Sequence, residues 1–409
     1  MGVTIKSMIK RPVYTKQLEA FVNKPQIKII TGIRRSGKST VLRLLKEDLL
    51  SSGISENQII AVNFESFAFA EIKTAQKLYG YIKERIKPEA RTYLLLDEIQ
   101  EVEGWEKVIN SFLVDFDTDI YITGSNSHLL SSDLATYLAG RYVQISVYTL
   151  SYREFLSFRE KYSPDDQQLN TFEHYLRTGG FPVIHAASYD TESAYKVVHD
   201  IYASVILRDT MQRYKIRDVE LLERVVRYAF DNIGNTFSGK NVADYFKNQQ
   251  RSVDINTIYN YLYALEGAFI LFRVPRYDIK GKEILKTQEK FYAGDISLIY
   301  ANMGFRDRMI SGILENIVFL ELKRQGYQVY IGKLDNREID FIAEKQGRKI
   351  YIQVAWKLES AQTVDREFSP LLSISDQYPK YVVSMDNFWK DSIEGVEHMY
   401  ITDFLLRGI

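Results

Sequence analysis

Eight residues, Gly32 to Ser39, follow the spacing G-x-x-x-x-G-K-S, with Gly32, Gly37, Lys38 and Ser39 in the fixed positions. Glycines let a backbone curl until successive N–H groups converge on an anion, and a helix starting there adds its positive end. A lysine at this place neutralises the β- and γ-phosphates of a nucleotide, and the hydroxyl after it ligates Mg2+. The chemistry expected is phosphate binding by Gly32, Ile33, Arg34, Arg35, Ser36, Gly37, Lys38, Ser39 and Thr40. Taken alone, the pattern also fits a turn that caps a core helix.

Cutting a phosphoanhydride needs an acid to hold the metal and a base to polarise water. "YLLLDEIQ" (Tyr93 to Gln100) ends an apolar run in Asp97 and Glu98. Asp97 is suited to bind Mg2+ through water, and Glu98 to act as the base. A strand running into a solvated acidic turn is the plainer reading, and the glycine loop upstream favours the chemical one. A third run, "DIYITGSN", ends in Ser125 and Asn126, either of which could contact the γ-phosphate or orient the water. Further on, in "LLSSDLATYLAGRYVQISV", Ser131 or Ser132 could cap a helix and Arg141 follows Gly140. Arg141 reads equally as a finger toward a neighbouring subunit's nucleotide and as a surface arginine at a helix end.

These side chains need particular elements to carry them. "IKII" before the loop is β-rich, and "VLRLLKEDLL" after it has apolar residues at helical spacing. Strand, glycine loop and helix form the context that phosphate binding requires. The whole chain of 409 residues is long enough for two to four domains, and 45% hydrophobic with 26% charged residues is ordinary globular composition. Lys+Arg and Asp+Glu are both 53, so nothing pulls the whole molecule toward DNA or an anionic membrane. There are no cysteines, which excludes disulfides and zinc–thiolate sites. The amino terminus carries charges where a signal peptide has its apolar core, and no run reaches the roughly 18 apolar residues that span a bilayer. A cytoplasmic protein without membrane contact is the expectation.

In combination, "GIRRSGKST", "LLLDEIQEVEGWE", "YITGSN" and "LAGRY" resemble the AAA+-like prokaryotic ATPases that carry a carboxy-terminal domain of unknown function. The similarity runs on through "YLRTGGFP" (Tyr175 to Pro182) and "ILRDTMQRYKIRD" to the carboxy-terminal segment. It implies ATP rather than another nucleotide. It also implies an α/β fold with an additional-strand P-loop core over residues 1–150, and a helical lid over 151–212 in which "TGGFP" is a turn.

Residues 213–292 change character. Three amphipathic helical runs, the third placing Ile258, Leu262, Leu265 and Phe269 at helical spacing, precede two strand-like runs joined at "IKGK", the layout of a winged helix-turn-helix. Residues 205–292 hold 15 Lys+Arg against 11 Asp+Glu, with Arg273, Arg276, Lys280, Lys282, Lys286 and Lys290 in and around the wing. The third helix could enter a DNA groove while the wing meets phosphates. Yet only Asn256 and Asn260 on that helix suit base reading, and Tyr259, Tyr261 and Tyr263 equally suit a protein interface or core. Residues 293–409 read helix, strand, strand, strand, which resembles the PD-(D/E)XK nuclease fold. Matching positions give Glu315 on the helix and Asp340 in "EIDF", while "QVA" puts Gln353 and Ala355 where the fold has its acid and lysine. Two of the four charged groups are missing, replacement by Lys357, which lies two residues on and keeps the strand's facing if alternation continues, is disfavoured, and an inactive nuclease-like domain is expected. Gln353→Glu with Ala355→Lys is expected to bring back metal-dependent cleavage.

The expected activity is Mg2+-dependent ATP binding and hydrolysis that drives or gates rearrangement of the winged-helix and nuclease-like modules. A slow nucleotide-gated switch that presents them to DNA or a protein is the alternative. An ATP-dependent nuclease is disfavoured, and homo-oligomers are compatible with the Arg141 reading.

Overall fold

The computed structural model describes residues 8–127, 140–164, 171–248, 252–388 and 392–408. The chain divides after Thr149 into two compact units.

The first unit is built on five parallel strands, β1 (Ile27–Thr31), β2 (Ile59–Asn63), β3 (Thr92–Asp97), β4 (Thr118–Gly124) and β5 (Tyr142–Ser146). Their order is β2-β3-β4-β1-β5, so β4 is the strand inserted between the glycine-loop strand and the acidic strand. A parallel sheet covered on both faces needs apolar side chains at successive positions. Leu94 and Leu96 face one core with Ile27, Ile29, Ile120 and Ile122 beneath the helices Ala75–Lys83 and Trp105–Asp115. Tyr93 and Leu95 face the other, with Ile30, Tyr121 and Ile145 beneath the helices Pro12–Glu19 and Lys38–Ser51. Each fully buried aliphatic side chain there contributes roughly 1.5–3 kcal/mol. Register puts Ile30 opposite Thr123 and Leu96 opposite Ile122, so β1, β3 and β4 end at one level.

The second unit opens with helices Tyr152–Tyr162, Thr171–Thr178, Pro182–Ala186 and Thr191–Ser204, the last continuing as a π-helix over Val205–Gln212. Helices Val219–Asp231, Gly239–Asn248 and Ile255–Gly267 follow in the order the sequence predicts. Ile258, Leu262 and Leu265 are buried as expected, but the helix stops at Gly267, and Phe269 lies beyond it at φ 58°. Then comes a nine-stranded sheet of β6 (Thr236–Phe237), β7 (Leu271–Asp278), β8 (Glu283–Ala293), β9 (Gln328–Leu334), β10 (Arg337–Lys345), β11 (Arg348–Ala355), β12 (Lys380–Ser384), β13 (Ser392–Ile393) and β14 (Val396–Tyr400). Its order is β13-β14-β12-β11-β10-β9-β7-β8-β6. The hairpin β7–β8 pairs through β7 with β9, so the residues expected to form a wing and those expected to form a nuclease-like domain share one sheet. Pro275, which cannot donate to a ladder, lies where the β7–β8 register shifts.

The "TGGFP" segment turns at Gly179, φ 67°, where a Cβ would come 2.1 Å from Asp295 Oδ1. Asp295 accepts from the Gly180 N–H at 2.9 Å, and His185 Nε2 bonds the Gly179 carbonyl at 2.9 Å. Burial holds the His185 imidazole down to about 4, against the pull of that carbonyl and with help from His174. As pH falls below roughly 6.5 the unfolded chain takes up a proton that the folded chain refuses until about 4. Stability contributed by the neutral ring is therefore complete above that window and lost within it, by about 3 kcal/mol at most. Unfolding measured at pH 7 and pH 4.5 is expected to show a steeper loss for the wild-type chain than for His185→Gln. Parallel losses would contradict this.

Candidate nucleotide site

The glycine loop follows β1 and delivers the chain into the helix Lys38–Ser51. Gly32 has φ 149° and Gly37 φ 101°, and a Cβ on Gly32 would sit 2.1 Å from the Val147 carbonyl oxygen. Both glycines are required by backbone geometry and close approach. Arg35 also has positive φ, 67°, and Arg34 pairs with Glu65 just past β2. Within the loop the Ser36 hydroxyl is buried and has no hydrogen-bond partner among the described residues. A buried polar atom left over in a glycine loop that opens a helix fits a phosphate.

Lys38 is 3% exposed. Its Nζ donates to the Gly32 carbonyl at 3.0 Å and the Ile33 carbonyl at 3.3 Å, and lies 3.5 Å from Glu98 Oε1. Glu98 follows β3 in the left-handed region, φ 54°, which turns its carboxylate back toward Lys38. Its N–H donates to Thr123 Oγ1 at 2.9 Å, while the Thr123 hydroxyl donates to Asp97 Oδ1 at 2.5 Å. Thr123 on β4 thus ties the two acids in place. Burial opposes the charged form of Glu98, but Lys38, then the Gln100 amide and Arg34, outweigh it and hold the carboxyl below its ordinary value. Asp97 goes the other way: burial raises it, more than the hydroxyls of Thr123 and Ser39 lower it. Ser39, whose hydroxyl helps to lower the Asp97 carboxyl, and Asp97 itself are the pair that would hold Mg2+, whose chemistry is to neutralise phosphate oxygens. Among the described residues no three His, Cys, Asp or Glu side chains gather to hold a metal alone. The ion's oxygen shell would need the phosphates.

Ser125 and Asn126 are fully buried directly after β4, the strand between those carrying the loop and the acids. Arg141 lies elsewhere. It precedes β5, its carbonyl accepting from the Ile27 N–H at the start of β1, and its Nη1 donates to Asn110 Oδ1 at 3.0 Å. That is the opposite end of the sheet from the glycine loop, about 16 Å of strand away. Ser131 and Ser132 fall outside the described residues.

In the second unit the three expected nuclease-like positions do come together. Asp340 accepts from the Val354 N–H at 2.9 Å, its own N–H donates to Gln353 Oε1 at 2.7 Å, and Gln353 Nε2 reaches Glu367 at 3.3 Å. Glu315, on the helix Ile310–Arg324, accepts from the Tyr292 hydroxyl at 2.9 Å and Lys290 Nζ at 3.2 Å. Ala355 is part of an apolar cluster, and Lys357 is exposed and bonded to Glu359. The expectation that Lys290 faces DNA phosphates is corrected: its side chain is 1% exposed. Arg273 is held by Glu266, Arg276 by Gln288 and Lys280 by Asp335, and the Lys286 side chain lies outside the described ones. The helix Ile255–Gly267 exposes Ile255, Asn256, Asn260 and Tyr263, none of them basic, while Tyr261 is core and the Tyr259 hydroxyl accepts from the Gly239 N–H.

Comparison with known proteins fits this geometry. An AAA domain matches residues 24–156, and a domain of unknown function (DUF8612) matches residues 169–308. An uncharacterized protein of Haemophilus influenzae is 38% identical over 404 residues, covering 98% of this chain and 100% of that protein. The chain belongs to the same family. An uncharacterized protein of Methanocaldococcus jannaschii is 29% identical over 366 residues, 85% of this chain and 79% of that one. A Walker-type ATPase of Pyrococcus abyssi shares the fold at 14% identity, with a TM-score of 0.51 over 73% of this chain and 97% of its own. The first unit thus matches an AAA domain and has the fold of a P-loop ATPase. No helix among the described residues is long and apolar enough to cross a membrane.

Two residues of the AAA domain's site escape sequence reading. Thr123 could have been suspected from its place before Gly124 in "YITGSN". Arg11 could not. It is 2% exposed, lies 4.5 Å from the Tyr14 ring, and donates to the Ser36 carbonyl at 2.7 Å and the Tyr148 carbonyl at 2.9 Å. It clamps the glycine loop to the segment after β5. Arg11→Met leaves those carbonyls without their donor and is expected to cost roughly 2–4 kcal/mol of unfolding free energy and to weaken ATP binding with Lys38 intact. Unchanged melting and unchanged affinity would show that the loop is held otherwise.

Proposed function

We propose that the chain binds Mg2+-ATP on Gly32 to Thr40 and hydrolyses it, and that the nucleotide state governs the second unit. The observation that carries this reading is the Lys38 ammonium, buried beneath the loop between its carbonyls and Glu98, beside the Asp97–Thr123–Ser39 set. A triphosphate offers Lys38 stronger acceptors than neutral carbonyls do. Once Lys38 turns to the phosphates, Glu98 loses the charge that depresses it and becomes a better acceptor for a proton of the attacking water. Asn126, buried beside both strand ends, is assigned to orient that water or contact the γ-phosphate.

Glu98 held by Lys38 and Gln100 also supports slow turnover, hence a nucleotide-gated switch. The uncharged exposed face of helix Ile255–Gly267 favours a protein partner for that segment over a DNA major groove. Arg141, remote from its own loop, can serve as a finger only for another copy of the chain.

ATP binding and steady-state turnover of Lys38→Ala and Glu98→Gln test the reading. Lys38→Ala is expected to lose ATP binding. Glu98→Gln is expected to keep ATP and lose at least 100-fold in turnover, on the order of what a positioned base contributes. Wild-type turnover in Glu98→Gln would overturn the assignment. In the same assay a finger at Arg141 requires specific activity to rise with protein concentration, and that rise to vanish in Arg141→Ala.

A further inference from the structure

The acids of the nuclease-like segment converge on a cation that the chain itself supplies. Lys290 enters from β8, outside the helix and strands that carry the acids. Its Nζ lies 2.8 Å from Glu338, 3.2 Å from Glu315 and 3.6 Å from Asp340. Its side chain is 1% exposed, and those of Glu315 and Asp340 are 11% and 12% exposed. Tyr292, two residues on and on the same face of β8, donates its hydroxyl to the carboxylate that Lys290 holds. The remaining Asp340 oxygen is taken by the Val354 N–H.

We infer that Lys290 is the resident cation of this cluster, standing where a metal-dependent site would hold a divalent ion and making the acids a joint between the hairpin and the sheet. A divalent ion needs several oxygens free to close around it. Here the oxygens of Glu315 and Asp340 face a tethered ammonium, a phenol and a backbone amide. An ammonium polarises no phosphoryl oxygen as a Lewis acid does and yields no metal-bound nucleophile. On the nuclease-like reading, the expected inactivity thus has a cause besides Gln353 and Ala355. Burial of Lys290 is tolerated because three carboxylates surround it: burial disfavours its charge, but their attraction raises its pKa all the same. Removing the ammonium would leave a buried acidic pocket without compensation, which is costly.

The expectation for "QVA" changes accordingly. Gln353→Glu with Ala355→Lys leaves the ammonium in place and is not enough to create a metal site.

The test uses the full chain without nucleotide, with Mn2+ as probe, followed by calorimetry and thermal melting. The wild-type chain is expected to bind no Mn2+ at this cluster. Lys290→Ala is expected to melt lower and to gain Mn2+ binding, with a rise in melting temperature of roughly 5 °C at 100-fold excess over its Kd. Adding Asp340→Asn to Lys290→Ala should remove that gain, and Lys290→Arg, which keeps the charge, should show none. Lys290→Ala that folds but gains no Mn2+ binding would overturn the inference. So would Mn2+ binding by the wild-type chain that disappears in Asp340→Asn, a result that does not depend on any Lys290 variant folding.

Discussion

The AAA domain is organised around one buried ion pair, Lys38 with Glu98, 3.5 Å apart and nearly shut off from water. The two residues follow different strands, β1 and β3, with β4 between them, so the pair can form only if β1, β4 and β3 end at one level. Gly32, Gly37 and the left-handed turn at Glu98 make that meeting possible, and Thr123 fixes the backbone that carries the acid. A buried pair is weak evidence for stability, since desolvation offsets much of the attraction. Its value here is chemical. In the proposed function it parks the cation under the loop and keeps Glu98 charged but occupied until a phosphate offers stronger acceptors.

The second unit uses a lysine in a related manner and to another end. Lys290 also sits under a set of acids, but its partners come from one helix and one strand, Glu315 on Ile310–Arg324 and Glu338 and Asp340 on β10, with no counterpart of the Gly32–Ser39 loop beside them among the described residues. Lys38 has a glycine loop above it, with an unused Ser36 hydroxyl and a helix N-terminus, and so has somewhere else to go. Surroundings, rather than residue type, separate a movable ammonium from a fixed one.

How much of this could be read from the sequence follows the range of the interactions. The loop, the acidic strand, the polar end of β4 and the run of helices before the hairpin are local patterns, and each lies where its spacing predicted. Glu315, Asp340 and Gln353 were also legible as positions, because the run of helix and three strands resembles the PD-(D/E)XK nuclease fold and its motif could be matched onto them. Arg11 was not, since its partner carbonyls lie 25 and 137 residues away and a backbone carbonyl leaves no mark on sequence. Lys290 was misread for a related reason: in a basic-looking hairpin one lysine resembles another, and only the pairing of β7 with β9 reveals that this one points inward. The edge at which a wing ought to separate from the next domain was invisible too, because a strand looks the same whether its neighbour is solvent or another strand.

In the proposed function Lys38 exchanges Glu98 and its own loop carbonyls for phosphate. A crystal structure of the full chain with Mg2+ and a non-hydrolysable ATP analogue measures this directly. Lys38 Nζ is expected within hydrogen-bond distance of the β- and γ-phosphates, released from the Gly32 and Ile33 carbonyls, with the Glu98 carboxylate facing the γ-phosphate. A bound nucleotide with Lys38 still on Glu98 and those two carbonyls would contradict it.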